Sequence, residues 1–228
     1  MRWLLVLALL LASCGGGSEG TRVTVFAAAS LTKAFTAEAE AYERTHGGAH
    51  VALSFAGSQS LVAQMQQGAP ADVLATADAT TIEAVRSSLR AAPQVFAHNQ
   101  LAIVTPPGNP KHLTSLADLG RGGLKVVLGA PSVPVGKAAA RALAAAGVTV
   151  HPVSLEDAVT GVVGKVRLGE ADAGIAYVTD LSAAVAGTPV PGTTTDLAIG
   201  SLTPDGEGFV AFVLSDEGQQ VLRQFGFR

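Results

Sequence analysis

The chain has 228 residues, of which 48% are hydrophobic and 14% charged, so it is long enough and apolar enough for one large or two modest domains with buried cores. This composition excludes a disordered or collagen-like protein. The formal net charge of −3 argues against a nucleic-acid-binding surface or a basic membrane-binding face, and we expect no nucleic-acid partner. The five histidines are scattered and the single cysteine is far from them, so we expect no site for a free metal cation.

The first 21 residues have the pattern of an exported lipoprotein. Residues 3–12 are an apolar run that is too short to span a bilayer but typical of a signal sequence. The run ends in Leu11-Ala12-Ser13-Cys14, which resembles a bacterial lipobox, so we predict a signal peptide at 1–13 and lipidation of Cys14. The glycine-rich residues 14–21 form the predicted tether. We therefore expect the protein at the periplasmic or extracytoplasmic face, anchored to a membrane; the alternative is a secretion signal with an incidental cysteine.

Strands alternate with helices along the first part of the body. Twice, a predicted strand runs through small residues and a serine into a predicted helix, first at Ser30 and then at Ser58. Each serine stands where a helix N-cap is expected, and a helix start also presents free backbone N–H groups that suit an anion. Because adjacent parallel strands deliver their following turns to the same sheet edge, we expect the two serines to converge. Strands are predicted at 23–26, 51–55, 73–76 and 95–105, and helices at 31–46, 59–67 and 80–89.

The α/β alternation resumes after a rigid proline-rich break at 106–110. We predict an α/β fold with two lobes, in which the chain builds lobe I from 22–98, builds lobe II from 99–202 and returns to lobe I at 203–228. We expect each lobe to be a mainly parallel sheet flanked by helices, with a ligand cleft between the lobes. Helices are predicted at 113–119, at 137–146 and from a capping sequence at 154–157 to about 168; a short helix opens at 179–180, and the closing helical region covers 205–225 with a break at 215–218. Strands are predicted at 125–128, 148–151, 173–178 and 197–202, with a turn-like surface segment at 187–195.

Candidate anion contacts lie at the helix starts of both lobes. Ser30 and Ser58 are the candidates in lobe I, and the helix starts at Val135 and near Val159 are the candidates in lobe II. Tyr177, at the end of a predicted strand, adds a phenolic O–H. All these groups donate hydrogen bonds, so together they favour an anion over a cation.

Several segments of the body, in order, resemble the successive motifs of the periplasmic molybdate-binding proteins, which feed ABC importers. The resemblance covers about residues 22–228 and implies the type II periplasmic-binding-protein fold. It implies an extracytoplasmic solute-binding protein, not an enzyme, that captures molybdate or tungstate without a cofactor, works as a monomer and delivers its ligand to an ABC transporter permease with its ATPase. The segments are Phe26-Ala-Ala-Ala-Ser-Leu31, Phe55-Ala-Gly-Ser-Gln-Ser-Leu61, Gly68-Ala-Pro-Ala-Asp-Val73, Val133-Pro-Val-Gly136, Gly169-Glu-Ala-Asp-Ala-Gly-Ile-Ala-Tyr177 and Ser215-Asp-Glu-Gly-Gln219.

The same resemblance assigns the ligand contacts residue by residue. It implies hydroxyl and backbone N–H contacts from Ser30 and Ser58, backbone N–H contacts from Val135 and Val159, and a hydroxyl contact from Tyr177. Two positions depart from the family pattern. Val135 stands where the family commonly has alanine, which keeps the backbone donor but enlarges the side chain, and Thr160 replaces a frequent arginine.

The chemistry of molybdate agrees with such a set of contacts. Molybdate is a fully ionised tetrahedral dianion near neutral pH, so it only accepts hydrogen bonds and is satisfied by hydroxyl and N–H donors. Helix starts add partial positive charge, and no Arg or Lys is required. Phosphate usually keeps a proton and needs an acceptor in its site, whereas sulfate has the charge pattern of molybdate and differs in size.

The sequence is compatible with other functions as well. A binding protein for another oxyanion, such as sulfate or thiosulfate, is the nearest alternative. A secreted serine hydrolase would use Ser30 or Ser58 as its nucleophile, but neither lies in a Gly-x-Ser-x-Gly elbow and the histidines form no recognisable triad motif. Iron-binding relatives of the fold use clustered tyrosines, whereas this chain has only Tyr42 and Tyr177. The effector domain of a transcription regulator shares the fold, but the lipobox argues against a cytoplasmic protein.

Two aspartates, Asp72 and Asp78, flank the strand predicted at 73–76. Paired carboxylates are one possible basis for acid–base catalysis. Aspartates beside a strand more commonly accept hydrogen bonds from backbone N–H groups in caps and turns, and this is the role that we favour.

Overall fold

The computed structural model describes residues 20–228. The predicted signal peptide at 1–13 and the predicted lipidation at Cys14 lie outside these residues. Over 20–228, none of the helices has both the length and the apolar character that crossing a bilayer requires.

Within residues 20–228, eight strands form one mixed sheet in the order β2-β1-β3-β8-β4-β7-β5-β6. The strands are β1 (Arg22–Ala28), β2 (His50–Ala56), β3 (Val73–Thr76), β4 (Gln94–Thr105), β5 (Val126–Gly129), β6 (Ser154–Glu156), β7 (Ala173–Tyr177) and β8 (Ala186–Ser201). The helices are α1 (Thr32–Thr45), α2 (Ser58–Gln66), α3 (Pro134–Ala145), α4 (Val159–Arg167), α5 (Pro204–Leu214) and α6 (Asp216–Gln224). Short 3-10 turns cover Ala29–Leu31, Ile82–Ser88, Leu116–Gly120 and Val178–Asp180.

The two ends of the sheet are parallel and its middle is antiparallel. At one end β1 pairs in parallel with β2 and β3, and at the other end β5 pairs in parallel with β6 and β7. The long strands β4 and β8 pair antiparallel with each other and join the two ends through β7 and β3. The predicted α/β class, with a mainly parallel sheet in each lobe, is confirmed.

The buried apolar side chains divide into a core at each end of the sheet. We use lobe I for β1–β3 with α1, α2, α5 and α6, and lobe II for β5–β7 with α3 and α4. In lobe I, Phe35 packs edge-on against Phe96 and Phe209, with ring centroids 5.7 and 6.0 Å apart. In lobe II, Ile103 and Ile175 are buried among the side chains of α3 and α4. Because β4 supplies Phe96 to one core and Ile103 to the other, this strand crosses between the lobes.

The lobe I sheet is covered on both faces, as the uncharged run at 23–26 predicts. Val25 faces the core under α1, α5 and α6, whereas Phe26 faces the smaller core under α2 and the turn Ile82–Ser88. Two aspartates fix the ends of β3 in the way that we favoured. Asp72 accepts hydrogen bonds from Thr24 N–H and the Thr203 hydroxyl, and Asp78 accepts one from Thr81 N–H.

The edge of lobe II differs from the prediction. Residues 148–151, predicted as a strand, pair with no strand, and the chain reaches β5 only at Ser154–Glu156. Val153 N–H donates to Val126 O at 2.8 Å, which brings the chain into register just before β6 begins. The capping role predicted for 154–157 is therefore wrong, because these residues are an edge strand and its exit, and α4 begins at Val159 after Ala158.

The segment 187–195, predicted as a surface turn, belongs to β8 and pairs with β4. The prediction of a turn was wrong because the prolines and glycines of this segment are typical of turns. The first half of β8 pairs with β4 alone, since β3 reaches only the 198–201 part, and an edge position tolerates proline because the missing N–H faces away from the ladder. A register shift between Gln100 and Ala102, with Gly192 at φ 73°, accommodates the extra residues as a bulge.

Three helical predictions need smaller corrections. The segments 80–89 and 113–119 form 3-10 turns, at Ile82–Ser88 and Leu116–Gly120, and the first of these is interrupted by non-helical geometry at Val85. The alanine-rich helix predicted from 137 begins earlier, at Pro134. The predicted N-cap at Thr203 with proline after it is confirmed, as is the break of the closing helices near Ser215.

Candidate functional site

All five predicted ligand residues line one small cavity between the lobes. Lobe I contributes Ser30 from the turn after β1 and Ser58 from the start of α2, while lobe II contributes Val135, Val159 and Tyr177. The cavity measures about 20 Å³. This is more than the roughly 10–15 Å³ that holds one water molecule and far below the ~300–1,000 Å³ of typical sites for organic ligands. Its scale is that of a small inorganic ion.

The two serines do not cap helices, although both occupy sequence positions typical of a cap. Ser30 lies inside the turn Ala29–Leu31, and its Oγ is buried without a hydrogen-bond partner in the described part of the chain. Ser58 is the first residue of α2, after Gly57 as N-cap. Its Oγ accepts a hydrogen bond from Ala77 N–H at 3.1 Å, so its own proton remains available to donate. Neither hydroxyl is used up by a cap, and both are free to donate to a ligand.

Two backbone donors come from the first turns of helices in lobe II. Val135 is the second residue of α3 and Val159 is the first residue of α4. Backbone N–H groups in a first turn have no acceptor within their own helix, and the helix dipole places partial positive charge there. Because α2 also begins at the cavity, helix starts from both lobes direct positive potential towards the same point.

Tyr177 ends β7 with its ring almost fully buried, at 2% exposure, and its hydroxyl has no partner within residues 20–228. Burial, followed by the charges of Asp180 and Asp78, raises the pKa of the Tyr177 phenol far above its ordinary value. The phenol therefore stays neutral over the whole physiological range and remains a hydrogen-bond donor. Asp180 holds the end of β7 in place, since its carboxylate accepts a hydrogen bond from Tyr177 N–H at 3.0 Å.

The residues that line the cavity carry no charged side chain, and the nearest charges lie around its rim. Lys137 and Asp78 face each other on one side. On another side, a larger cavity of about 310 Å³ adjoins Ser30 and is bordered by Lys33, Arg167 and Asp180. Burial raises the pKa of the Asp180 carboxyl to about 6. The cavity itself therefore offers neutral donors, and an anion inside it is bound by hydrogen bonds and helix dipoles.

The two departures from the family pattern lie in different places. The Val135 side chain packs against Gly129, where an added Cβ would lie only 2.6 Å from Val135 Cγ1. Glycine at 129 therefore makes room for the larger valine. Thr160 is exposed and borders the larger cavity, not the small one.

Sequence reasoning missed part of the cavity wall. Gly57, Ala77, Pro134 and Ala158 also line it. Ala77 follows β3 directly, so the rule that brought Ser30 and Ser58 to one sheet edge also applies to this position. The methyl side chain of Ala77 has no polar group that would mark it as a site residue. Its role comes from its backbone N–H, which donates to Ser58 Oγ.

The geometry does not support the hydrolase alternative. The residues that line the cavity include no histidine, so neither serine has a general base beside it. Over 20–228, no group of His, Cys, Asp and Glu side chains is arranged to hold a metal ion. Tyr42, the second tyrosine, stacks on His46 in lobe I and does not line the cavity.

Comparisons with known proteins identify relatives of this chain. Residues 23–228 match the family described as bacterial extracellular solute-binding protein. A relative from Mycobacterium tuberculosis, the molybdate-binding protein ModA, is 41% identical over 258 aligned positions that cover 100% of this chain and 99% of the relative.

Solved structures show the same fold at low identity. The periplasmic molybdate-binding protein of Azotobacter vinelandii superposes with a TM-score of 0.78 at 17% identity, covering 90% of this chain and 98% of that one. The sulfate-binding protein SubI from Mycobacterium tuberculosis superposes with a TM-score of 0.82 at 18% identity, covering 91% of this chain and 86% of that one. Proteins for two different oxyanions thus share this backbone, and the fold alone does not identify the anion.

Proposed function

Because the chain belongs to the bacterial extracellular solute-binding protein family, we propose that it captures molybdate outside the cytoplasm and passes it to an ABC importer. A protein of this family holds its ligand without transforming it, so it is not an enzyme. The observation that carries the proposal is the convergence of Ser30, Ser58, Val135, Val159 and Tyr177 on one cavity between the lobes. The full-length likeness to ModA supports molybdate as the cargo.

The donor set favours a dianion that carries no proton. The hydroxyls of Ser30, Ser58 and Tyr177 and the first-turn N–H groups of α3 and α4 all donate. Molybdate and tungstate offer only acceptors, which match these donors, whereas a protonated phosphate would bring a donor into a cavity that is lined by no carboxylate to receive it. We therefore include tungstate, which has the same shape and charge, among the ligands.

The membrane anchor, the oligomeric state and the transporter partner belong to the same proposal as the site. The mature protein is anchored to the membrane by a lipid on Cys14 and works as a monomer that docks on a permease with its ATPase. The tether at 14–21 lets the two lobes close on the ligand away from the membrane surface.

Sulfate is the second candidate ligand, because SubI has the same backbone and sulfate the same charge pattern. Size is the property that separates the two anions. The position of the α3 and α4 helix starts relative to Ser30 and Ser58 sets that size, so discrimination is a property of how far the lobes close.

Titration calorimetry of the chain from Gly15 onward tests the proposal. We expect one site that binds molybdate and tungstate, weaker binding of sulfate and no binding of phosphate. Ligand at about 100 times Kd stabilises the folded state by about 2.7 kcal/mol, which a thermal melt detects independently. Absence of both heat and thermal shift with molybdate and tungstate would refute the assignment, and tighter binding of sulfate would select the second candidate.

A further inference from the structure

An ion pair joins the two lobes at the rim of the cavity. Lys137 Nζ of lobe II lies 3.4 Å from Asp78 Oδ2 of lobe I and donates a hydrogen bond to Thr81 Oγ1 at 3.0 Å. The side chains of Lys137 and Asp78 are 30% and 10% exposed, so the pair is partly withdrawn from water. None of these three residues lines the cavity, and the described contacts of the anion site do not include them.

Lobe I holds the acceptors of this pair ready in the absence of lobe II. Asp78 Oδ1 accepts a hydrogen bond from Thr81 N–H at 2.5 Å, which orients the carboxylate and brings the Thr81 hydroxyl beside it. Thr76 Oγ1 donates to the backbone carbonyl of Asp78 at 2.7 Å and fixes the main chain. The only partner that must arrive from across the cleft is the ammonium group of Lys137.

Each member of the ion pair is close in sequence to a residue of the anion site in its own lobe. Asp78 follows Ala77, whose N–H bonds to Ser58 Oγ, and Lys137 follows Val135 by two positions on α3. A movement of α3 that withdraws the Val135 N–H from the cavity therefore also withdraws Lys137 from Asp78. The ammonium group of Lys137 donates to Asp78 and Thr81, and Lys137 is not among the residues that line the anion cavity.

We propose that Lys137, Asp78 and Thr81 form an inter-lobe clasp that sets how long the captured oxyanion is retained. The clasp forms when the lobes close and must break before they open, so it slows release of the anion. Opening the lobes returns both charges to water, whereas removing Lys137 leaves a largely buried carboxylate without its cation in the closed form. The clasp rests on the proposed function for the identity of the anion but not for its geometry.

Release kinetics test the clasp. The protein is loaded with radiolabelled molybdate, and loss of label is followed after addition of excess unlabelled molybdate. We expect Lys137→Met to release the label about tenfold faster or more, with a smaller change in the association rate, because loss of one partner of a buried charge pair acts mainly on dissociation. Adding Asp78→Asn to Lys137→Met is expected to slow release partway back towards the unmodified rate, because the closed form then no longer holds a buried carboxylate without its cation.

Lys165→Met is the matched control. Lys165 pairs with Glu156 at 2.8 Å, with side-chain exposures of 35% and 16%, so this pair resembles the clasp in chemistry and burial. Both of its partners lie in lobe II, on α4 and β6. We expect Lys165→Met to alter thermal stability at most and to leave the release rate within about twofold of the unmodified protein.

Hydrogen exchange without added anion gives a second readout that does not depend on the cargo. We expect amides at the starts of α2 and α3 to exchange faster in Lys137→Met than in Lys165→Met. If the unmodified protein binds no oxyanion, the proposed function fails, and faster exchange still supports the clasp. Faster release with unchanged exchange also supports it. The clasp is overturned if Lys137→Met changes neither release nor exchange, or if Lys165→Met changes them equally.

Discussion

Ser30 and Ser58 show how the same local pattern gives two different hydrogen-bonding states. Both follow a strand and small residues, yet Ser30 Oγ has no partner within the described chain, whereas Ser58 Oγ accepts from Ala77 N–H. A buried hydroxyl without a partner lowers the stability of the folded state. Its retention at the cavity is understandable if a ligand supplies the missing acceptor.

This difference predicts that alanine at the two positions has separable effects. Each of Ser30→Ala and Ser58→Ala should weaken molybdate binding by about 10- to 150-fold, the range for loss of a hydrogen bond to a charged group. Without ligand, Ser30→Ala should leave the melting temperature unchanged or slightly higher. Ser58→Ala should lower it, because the buried Ala77 N–H loses its acceptor at a cost of about 1–3 kcal/mol.

Calorimetry and thermal melts of the two variants check this prediction together. Ser60→Ala, two residues further along α2 and not among the cavity residues, is the control and should bind molybdate as the unmodified protein does. Equal loss of unliganded stability in Ser30→Ala and Ser58→Ala would contradict the difference in hydrogen bonding. Unchanged affinity in both would remove these serines from the site.

At the scale of elements, the strand-to-helix junctions that build the cavity were predictable and some of the edges were not. Local patterns of apolar, small and hydroxyl residues predict the junctions after β1 and β2. The strand β8 was hidden, because its pairing partner β4 lies some ninety positions away in sequence and its prolines resemble those of a loop. The shift of β6 to Ser154–Glu156 has the same origin, since register against β5 is a non-local property.

Five of the residues that line the cavity were predicted from the sequence, and the rest of its wall was not. The positions of Ser30, Ser58, Val135, Val159 and Tyr177 followed from the family resemblance together with donor chemistry. The glycine and alanine positions that complete the cavity have no distinctive side-chain chemistry, so only the packing of the elements identifies them. Ser30 was also expected to cap a helix, and the 3-10 turn Ala29–Leu31 removes that role.

The approach of α2 to the loop before α4 gives a prediction at this scale. A Cβ added at Gly57 would lie 2.4 Å from the carbonyl oxygen of Asp157, which also accepts a hydrogen bond from Gln59 Nε2 at 2.8 Å. Gly57→Ala should therefore hinder closure of the lobes and weaken molybdate binding by about tenfold or more, since a contact under 3 Å forces the backbone to shift. The backbone of Gly57, at φ −59°, accepts alanine, so unliganded stability should hold.

Calorimetry and melts of Gly57→Ala measure both expectations. Gly47→Ala is the control, because an added Cβ there meets nothing within 4 Å. Normal affinity in Gly57→Ala would mean that the loop before α4 moves aside at no cost, and the close approach would then have no role in closure.

For the whole molecule, the crossing strands determine how the two lobes are joined. Register shifts interrupt the pairing of β4 with β8 between Val95 and Ala97 and between Gln100 and Ala102, on either side of the crossing. Between them, His98 exchanges backbone hydrogen bonds with the C-terminal Arg228 and its ring bonds to Asp196 at 2.8 Å. Bulges bend and twist a pair of strands locally. The pairing of β4 with β8 is therefore irregular on both sides of the place where β4 crosses between the lobes. The size of the cavity depends on how elements that are distant in sequence pack against each other, which is why sequence alone could not rank molybdate against sulfate.

One carboxyl couples the stability of the whole fold to pH. Glu38, on α1, is fully buried in lobe I, and within residues 20–228 neither of its oxygens has a hydrogen-bond partner. Burial, reinforced by the charge of Glu217 on α6, raises the pKa of Glu38 from 4.5 to about 9. The folded state therefore holds a proton that the unfolded state releases near pH 4.5. Its contribution to the free energy of unfolding is full below that pH and is lost as the pH rises through about 9.

Replacing this carboxyl removes its part of the coupling, so Glu38→Gln should flatten the dependence of melting temperature on pH between about 6 and 9, above the range in which Asp180 titrates. The melting temperature of the variant should exceed that of the unmodified protein most at alkaline pH. Each kcal/mol of unfolding free energy corresponds to about 2–4 °C in melting temperature for a chain of this size. Melts at closely spaced pH values, with the exposed Glu40→Gln on the same helix as control, measure the difference. Parallel curves for Glu38→Gln and the unmodified protein would mean that Glu38 titrates alike in the folded and unfolded states. Its burial under α6 would then cost the ionised form nothing, against the physics of a carboxylate without a partner.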